Sequence, residues 1–390
     1  MRLDDICTVF NDGDWIESKD QSENGIRLIQ TGNIGEGKYL EKEEKAKYIS
    51  EETFNSLKCT ELFPGDILVS RLPEPVGRAC IIPEKSERMI TAVDCTICRP
   101  DKNIISKEYL CYFMQSKAYY SQLLNSITGT TRQRISRKNL GSIELNIPDK
   151  TTQKSVVEKL DLLSGIIENR KEEIDKLDEL IKARFVELFG SINDNKFGYD
   201  VMTLQDVCEP IKDGTHQTPT YTEDTINGYK FLSSKDVTSG KVDWTHLKYI
   251  PEELHNELYK RISPRKGDIL LAKNGTTGVA AIVDRDEVFD IYVSLALLRP
   301  LDLVTSEYLC SAVNSVETKQ QFDSSLKGIG VPNLHLGEIK KTKIIVPPIE
   351  EQEKFADFVK QVDKSKFDYI VLPLYFIFKG VIYDIKRYKR

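Results

Sequence analysis

The sequence predicts an α+β protein made by internal duplication, with two similar globular domains in a pseudo-twofold repeat separated by long coiled-coil helices. Three observations predict it. Blocks of sequence return some 200 residues later, each block is rich in short β-like runs and turns, and each closes on a charged segment of helical periodicity. Leu3-Asp-Asp-Ile-Cys7 returns as Leu204-Gln-Asp-Val-Cys208, and Pro64-Gly-Asp-Ile-Leu-Val-Ser-Arg71 as Lys266-Gly-Asp-Ile-Leu-Leu-Ala-Lys273. Glu108-Tyr-Leu-Cys111 returns as Glu307-Tyr-Leu-Cys310, and Ile147-Pro148 as Val346-Pro347. Solenoid units run to about 20–50 residues. This is a duplicated domain, and duplicated readers suit a target with two halves.

With 390 residues, each copy is long enough to bury its own core. A hydrophobic fraction of 40% and a charged fraction of 30% exclude disordered and collagen-like chains. No run approaches the ~18 apolar residues of a membrane span, and Met1-Arg-Leu-Asp-Asp does not open a signal peptide, so a cytoplasmic location is expected. A net charge of −6 argues against indiscriminate binding to nucleic acid but leaves room for local basic patches. Arg132, Arg134, Arg137 and Lys138 form one such patch, and Lys327, Lys340, Lys341 and Lys343 occupy the matching part of the second copy.

Within the first copy, Ile67–Val69 and Ala79–Ile82 read as a strand pair around a loop; in the second, Ile269–Ala272 and Val279–Val283 do the same. Tyr109–Leu124 and Tyr308–Phe322 read as helices, from their apolar spacing and lack of internal Gly or Pro. From Thr151 to Phe189, Leu160, Ile167, Ile174, Ile181 and Leu188 recur every seven residues, with Leu163 and Leu177 between them and Arg170 and Arg184 interrupting the seam. At ~1.5 Å per residue this helix is roughly 60 Å long and needs a partner helix. The expected partner opens at Pro347-Pro-Ile-Glu-Glu-Gln352 and carries Phe355, Phe358, Val359 and Val362, but Pro373 and an aromatic run cut it to about half the length. The organisation expected is a first globular domain at 1–148, a central long helix at 149–190, a second globular domain at 191–347, a shortened helix at 348–367 and an atypical tail at 368–390.

A search for chemistry yields little. Cys95-Thr-Ile-Cys98 has the spacing of half a zinc site, but Leu295 and Leu298 hold these positions in the second copy, and leucine replaces core cysteine, not a ligand. All eight cysteines are expected as reduced core thiols. No P-loop appears, and Gly328-Ile-Gly330 lacks the third glycine of a dinucleotide loop. The four histidines, His216, His246, His255 and His335, all lie in the second copy, so histidine catalysis would leave the first inert. Glu43-Glu-Lys45 has a nuclease-like form but sits in a solvated charge run.

What remains are loops fitted to touch a polymer. Lys273-Asn-Gly-Thr-Thr-Gly278 offers small residues that let backbone approach a phosphate or groove, although Asn-Gly is also the signal of a plain hairpin. Its counterpart runs from Arg71 to Arg78. Gln30-Thr-Gly-Asn33 stands against Ser233-Ser-Lys-Asp236; Gln and Asn pair with adenine edges and Lys or Arg with guanine, while the same residues serve as caps and turns. Gly129-Thr-Thr-Arg-Gln-Arg-Ile-Ser136 stands against Lys327-Gly-Ile-Gly-Val-Pro-Asn333. The candidate nucleic-acid contacts are therefore Gln30, Thr31, Asn33, Arg71, Arg78, Thr130, Arg132 and Arg134 in the first copy, and Ser234, Lys235, Lys273, Asn274, Thr276, Thr277, Lys327 and Asn333 in the second.

The arrangement resembles the specificity subunit of type I restriction-modification systems over residues 1–366. The carrying features are the Gly-containing loops at 129 and 328, the strand ends Ile147-Pro148 and Val346-Pro-Pro348, and the helix-opening Gln153 and Gln352. The resemblance implies two DNA-recognition domains that read the halves of a bipartite, asymmetric target, with helices that set the spacer. It implies no catalysis and no cofactor in this chain: two methyltransferase subunits bind S-adenosylmethionine, and restriction subunits use ATP and Mg. Leu372-Pro373 departs from the family pattern, in which the second helix continues. Two other readings stay open. One is a catalytic methyltransferase or endonuclease fragment, against which stands the lack of an Asn/Asp-Pro-Pro-Tyr/Phe motif and of a glycine loop for adenosylmethionine. The other is a coiled-coil scaffold that never touches DNA.

Overall fold

In the order of the chain, the first unit contains β1 (Cys7–Asp12), β2 (Ile26–Ile29), β3 (Tyr48–Ile49), α1 (Glu51–Leu57), β4 (Ile67–Ser70), β5 (Ala79–Ile81), β6 (Met89–Thr91), β7 (Cys95–Pro100), α2 (Lys107–Phe113), α3 (Lys117–Leu124) and α4 (Arg137–Gly141). The long α5 (Lys150–Phe189) follows. Then come β8 (Asp200–Thr203), α6 (Leu204–Val207), β9 (Lys212–Asp213), β10 (Tyr229–Leu232), β11 (Lys248–Ile250), α7 (Glu252–Arg261), β12 (Ile269–Ala272), β13 (Ala280–Ile282), β14 (Phe289–Ile291), β15 (Leu295–Leu298), α8 (Ser306–Val313), α9 (Val316–Ser325), α10 (Leu336–Lys341), β16 (Lys343–Val346) and α11 (Ile349–Ser365). The structure, a computed structural model, describes residues 1–129, 133–326 and 333–371. It divides into two units at Glu168/Asn169, within α5.

Each unit builds the same pair of sheets. In the first, the order is β1-β7-β4-β5, all antiparallel, beside a small mixed sheet β3-β2-β6 in which β2 and β6 run parallel. In the second, β9-β15-β12-β13 and β11-β10-β14 repeat that order and those directions.

The central sheet is buried on both faces, which is why its strands read as continuous apolar runs instead of alternating ones. In the first unit Ile67, Val69, Ala79 and Cys98 face α2 and α3, while Leu68, Cys80, Cys95 and Ile97 face the small sheet. Cys95 and Cys98, three apart on one strand, thus lie on opposite faces and cannot converge on an ion. Burial pushes the Cys95 thiol up to about 12 and Cys98 well above its ordinary value. Leu295 and Leu298 divide between the two faces in the same way.

The single helices expected at 109–124 and 308–322 are each two. Ser116 and Ser315 interrupt them: each hydroxyl accepts the backbone N–H three residues on, from Tyr119 and Thr318 at 3.2 Å, and so starts a new helix. The Glu43–Lys45 run is a short 3₁₀ turn on the surface.

Each long helix is fastened to its own unit by a glutamine. Gln153 Nε2 donates to the carbonyls of Ile104 and Pro148 at 3.0 and 2.9 Å, and its Oε1 accepts from Ser106 N at 2.9 Å. Gln352 does the same with Leu303, Pro347 and Thr305 at 3.0, 2.8 and 2.9 Å. Both side chains are fully buried, so every polar atom of the amide finds its partner inside the protein.

The predicted seam residues Leu160, Leu163, Ile167, Ile174, Leu177, Ile181 and Leu188 are all half-buried, and most positions between them are exposed. In the second unit the end of α5 packs against α11. Phe189 meets Phe355 at 5.5 Å between ring centroids, the Arg184 guanidinium lies over Phe358, and Lys366 Nζ bonds Asp178 at 2.5 Å. One index falls as the other rises, so the two helices are antiparallel. The aromatic contact extends to Phe185 and Tyr308, which stack at 5.5 Å. After Ser365 the chain makes a π-helical turn through Val371. The rest of the tail, 372–390, lies outside the described residues.

Two stability measurements check this account. Gln153→Leu strands one buried N–H and two carbonyls and is expected to cost about 3 kcal/mol in urea unfolding. Gly165, mid-helix with open space around a Cβ, is expected to stabilise the protein by up to about 1 kcal/mol as Gly165→Ala.

Candidate nucleic-acid interface

The site begins with a glycine that only a glycine can be. The first strand of each central sheet ends in Asp-Gly, Asp12-Gly13 and Asp213-Gly214, and the chain then tucks against the small sheet. A Cβ on Gly13 would stand 2.4 Å from the Thr91 carbonyl oxygen, and on Gly214 2.0 Å from that of Ile291. Beyond the glycine, Asp14 pairs with Ala92 and Thr215 with Tyr292, the same parallel bridge in both copies.

The aspartate before that glycine holds the basic residue that opens the loop after β4 or β12. Arg71 Nε lies 3.4 Å from Asp12 Oδ1, and Arg71 Nη2 donates to the Val93 carbonyl at 2.6 Å. Lys273 Nζ donates to Asp213 Oδ2 at 2.6 Å. Asp213 also pairs with Arg261 Nη2 and with His216 Nε2, each at 3.3 Å, so three bases surround one buried acid. Burial pushes the Asp213 carboxyl up, but Lys273 and then His216 outweigh it and hold the group below the usual carboxylate range.

Three sequence-distant loops converge here in each unit. In the first, the Arg71 carbonyl accepts from Ile135 N at 3.2 Å and so joins the 128–135 loop, which Thr128 and Arg134 close through a pair of backbone bonds of 3.0 and 2.9 Å. The 30–34 turn joins through Arg78, whose Nη2 and Nε donate to the carbonyls of Thr31 and Ile34 at 2.8 and 2.7 Å. In the second, the Lys273 carbonyl accepts from Leu334 N at 2.8 Å, Asn274 bridges Asn333, and Ser294 accepts from both Lys273 N and Ser234 N. The described parts of the predicted loops are brought together.

Within them, four of the predicted contacts are buried. Arg78 is buried and spends its donors on the carbonyls of Ile34, Thr31, Leu72 and Pro75, all within 3.1 Å. Arg71 and Lys273 are buried in their ion pairs. Asn33 is buried as a cap, its amide accepting from Gln30 N at 3.0 Å and donating to the Leu40 carbonyl at 3.0 Å. The loops are pinned by these buried side chains.

Other candidates remain outward. Arg134, 3.8 Å from Asp94, is exposed, as are Lys235 and Thr276; Gln30, Thr31, Ser234, Asn274, Thr277 and Asn333 are half-buried. Thr130, Arg132 and Lys327 lie outside the described residues. Sequence reasoning missed Asp12 and Asp213, although the repeated Asp-Gly marks them. It missed Arg261, which comes from the end of α7 and carries no local signal. His255, a catalytic candidate by type, is buried, bonded to Asp290 at 2.7 Å and stacked on Tyr229 at 3.7 Å between centroids. It is part of the interior of the second unit.

The Asp213 pairing predicts a pH dependence. A depressed folded-state value means the contribution is fully present above about pH 4 and is lost as the pH falls through that lower value. Asp213→Asn is expected to be less stable at neutral pH and to lose stability less steeply on acidification, read by circular dichroism during acid unfolding.

The geometry has relatives. Among curated proteins the chain is similar to the type I restriction enzyme MjaVIII specificity subunit of Methanocaldococcus jannaschii, 24% identical over 278 residues, 67% of this chain and 64% of that protein. It is 25% identical over 276 residues to the EcoBI specificity subunit of Escherichia coli, covering 64% of this chain and 58% of that protein. The matched regions thus span about three-fifths of the length of these relatives. A chain from a solved structure concerned with complex assembly and conformational transition of the type I R-M system shares the fold at TM-score 0.51 and 17% identity, over 95% of this chain and 91% of that one. The profile of the type I restriction modification DNA specificity domain matches twice, at residues 1–179 and 197–370, and the chain belongs to that family.

Proposed function

We propose that this chain is the DNA-reading subunit of a type I restriction-modification complex, each unit binding one half of a bipartite, asymmetric target. The observation that carries this is the combination of one frame built twice with different loops in the same place. The Asp-Gly turn, the strand order and the glutamine clamp are common to both units, while Gln30-Thr-Gly-Asn33 and Ser233-Ser-Lys-Asp236 differ. Polar side chains on loops held by a rigid scaffold are what base-edge reading requires.

In this reading the chain performs no catalysis. Two methyltransferase subunits carry S-adenosylmethionine, restriction subunits carry ATP and Mg, and the helices fix the spacer between the half-sites. The complex works in the cytoplasm. Among the described residues no helix is long and apolar enough to cross a membrane.

Single-molecule sequencing of methylated adenines in the host genome tests the reading. A two-part motif that vanishes when the gene is deleted is the expected result; methylation that persists unchanged overturns it. A second measurement separates contacts from supports. With the methyltransferase partners present, Arg134→Ala and Lys235→Ala are each expected to reduce the slope of log affinity against log salt by about 1 if they touch phosphate. Arg78→Ala is expected to act through lost stability.

A further inference from the structure

Past the Asp-Gly turn, each unit exposes a planar ring at the same register. In the first it is Trp15, 70% exposed; in the second it is His216, its side chain 68% exposed. Each stands two residues after the glycine that cannot accept a Cβ and one residue after the parallel bridge to the small sheet, so the frame delivers both to one structural position. We propose that this ring is a DNA-contacting residue of each half-site reader, Trp15 by apolar and stacking contact and His216 by donating an N–H to a phosphate or base-edge acceptor. The proposal rests on the reading of the preceding subsection and adds residues outside the three loops from which that reading was drawn.

Four observations support it. The position adjoins the convergent loops: Asp12, three residues before Trp15, holds Arg71, and Asp213, three before His216, holds Lys273. The surroundings favour an anion in the second unit, where the charges of Lys273 and Arg261 meet a single carboxylate beside His216. In the first, the neighbouring Glu17 accepts from the Trp15 indole N–H at 3.3 Å and pairs with Lys19 at 2.8 Å, which leaves the ring face free and the local acid offset. A largely exposed indole forgoes the burial that normally stabilises so large an apolar side chain, and tryptophan is prominent where one surface meets another. The substitution between copies, indole against imidazole, is the kind of change expected where two halves of a target differ.

The test uses the full chain assembled with its methyltransferase partners, the methylated motif in genomic DNA as one readout and affinity for a duplex carrying that motif as the other. Trp15→Ala is expected to weaken binding about tenfold and to relax one half of the motif, and His216→Ala to do so for the other half. Trp15→Phe is expected to restore most of the loss. In a Trp244→Phe chain, where Trp15 is the remaining tryptophan, duplex addition is expected to quench the indole emission; this readout stands even if Trp15→Ala does not assemble. Unchanged motif and affinity in both alanine variants, or unchanged Trp15 emission on binding, overturns the inference while the wild-type two-part motif still stands. A wild-type complex that writes no two-part motif overturns the underlying reading as well.

Discussion

A buried amide at the start of each long helix connects the two kinds of architecture in this chain. Gln153 and Gln352 each join a helix, the strand end before it and the segment leading into α2 or α8 with three hydrogen bonds, and both glutamine side chains are buried. A buried donor or acceptor left alone costs about 1–3 kcal/mol, so the helix direction is set by the requirement that all three bonds close together. A side chain of another length would satisfy some of these groups and strand the rest.

A second paired device works at one end of the two inner strands of the central sheet. Arg99 grips Asp66 with two bonds of 2.7 and 2.8 Å, and Arg299 grips Asp268 with two of 2.7 Å. Planar guanidinium against planar carboxylate fixes orientation as well as distance. With the Asp-Gly turn at the other end of the sheet, both ends of the frame are polar, charged and ion-paired. Much of the charge in this protein serves its own backbone.

That explains which parts of the structure were legible in the sequence. Duplication, the β-rich domains and the long helix followed from repeats and periodicity, because these are properties of many residues at once. Ser116 and Ser315 were not read as helix breaks, since a serine's capping role depends on where its hydroxyl points. That the site loops meet was not legible, and Arg71, Arg78 and Lys273, expected as contacts, are buried. Their partners Asp12, Ile34 and Asp213 lie 40 or more residues away, and an unpaired base and a paired one look alike in sequence. Arg134 and Lys235 differ from them in burial alone.

The way Arg78 is held has an evolutionary side. All four of its acceptors are main-chain carbonyls, contributed by Thr31, Ile34, Leu72 and Pro75. A carbonyl is present whatever side chain its residue carries. The anchor therefore places almost no demand on the identity of the residues it ties down; Ile34 and Leu72 are held by burial instead, while half-buried Thr31 is free to drift. A loop moored in this manner can exchange its recognition letters through successive single substitutions without passing through an unfolded ancestor.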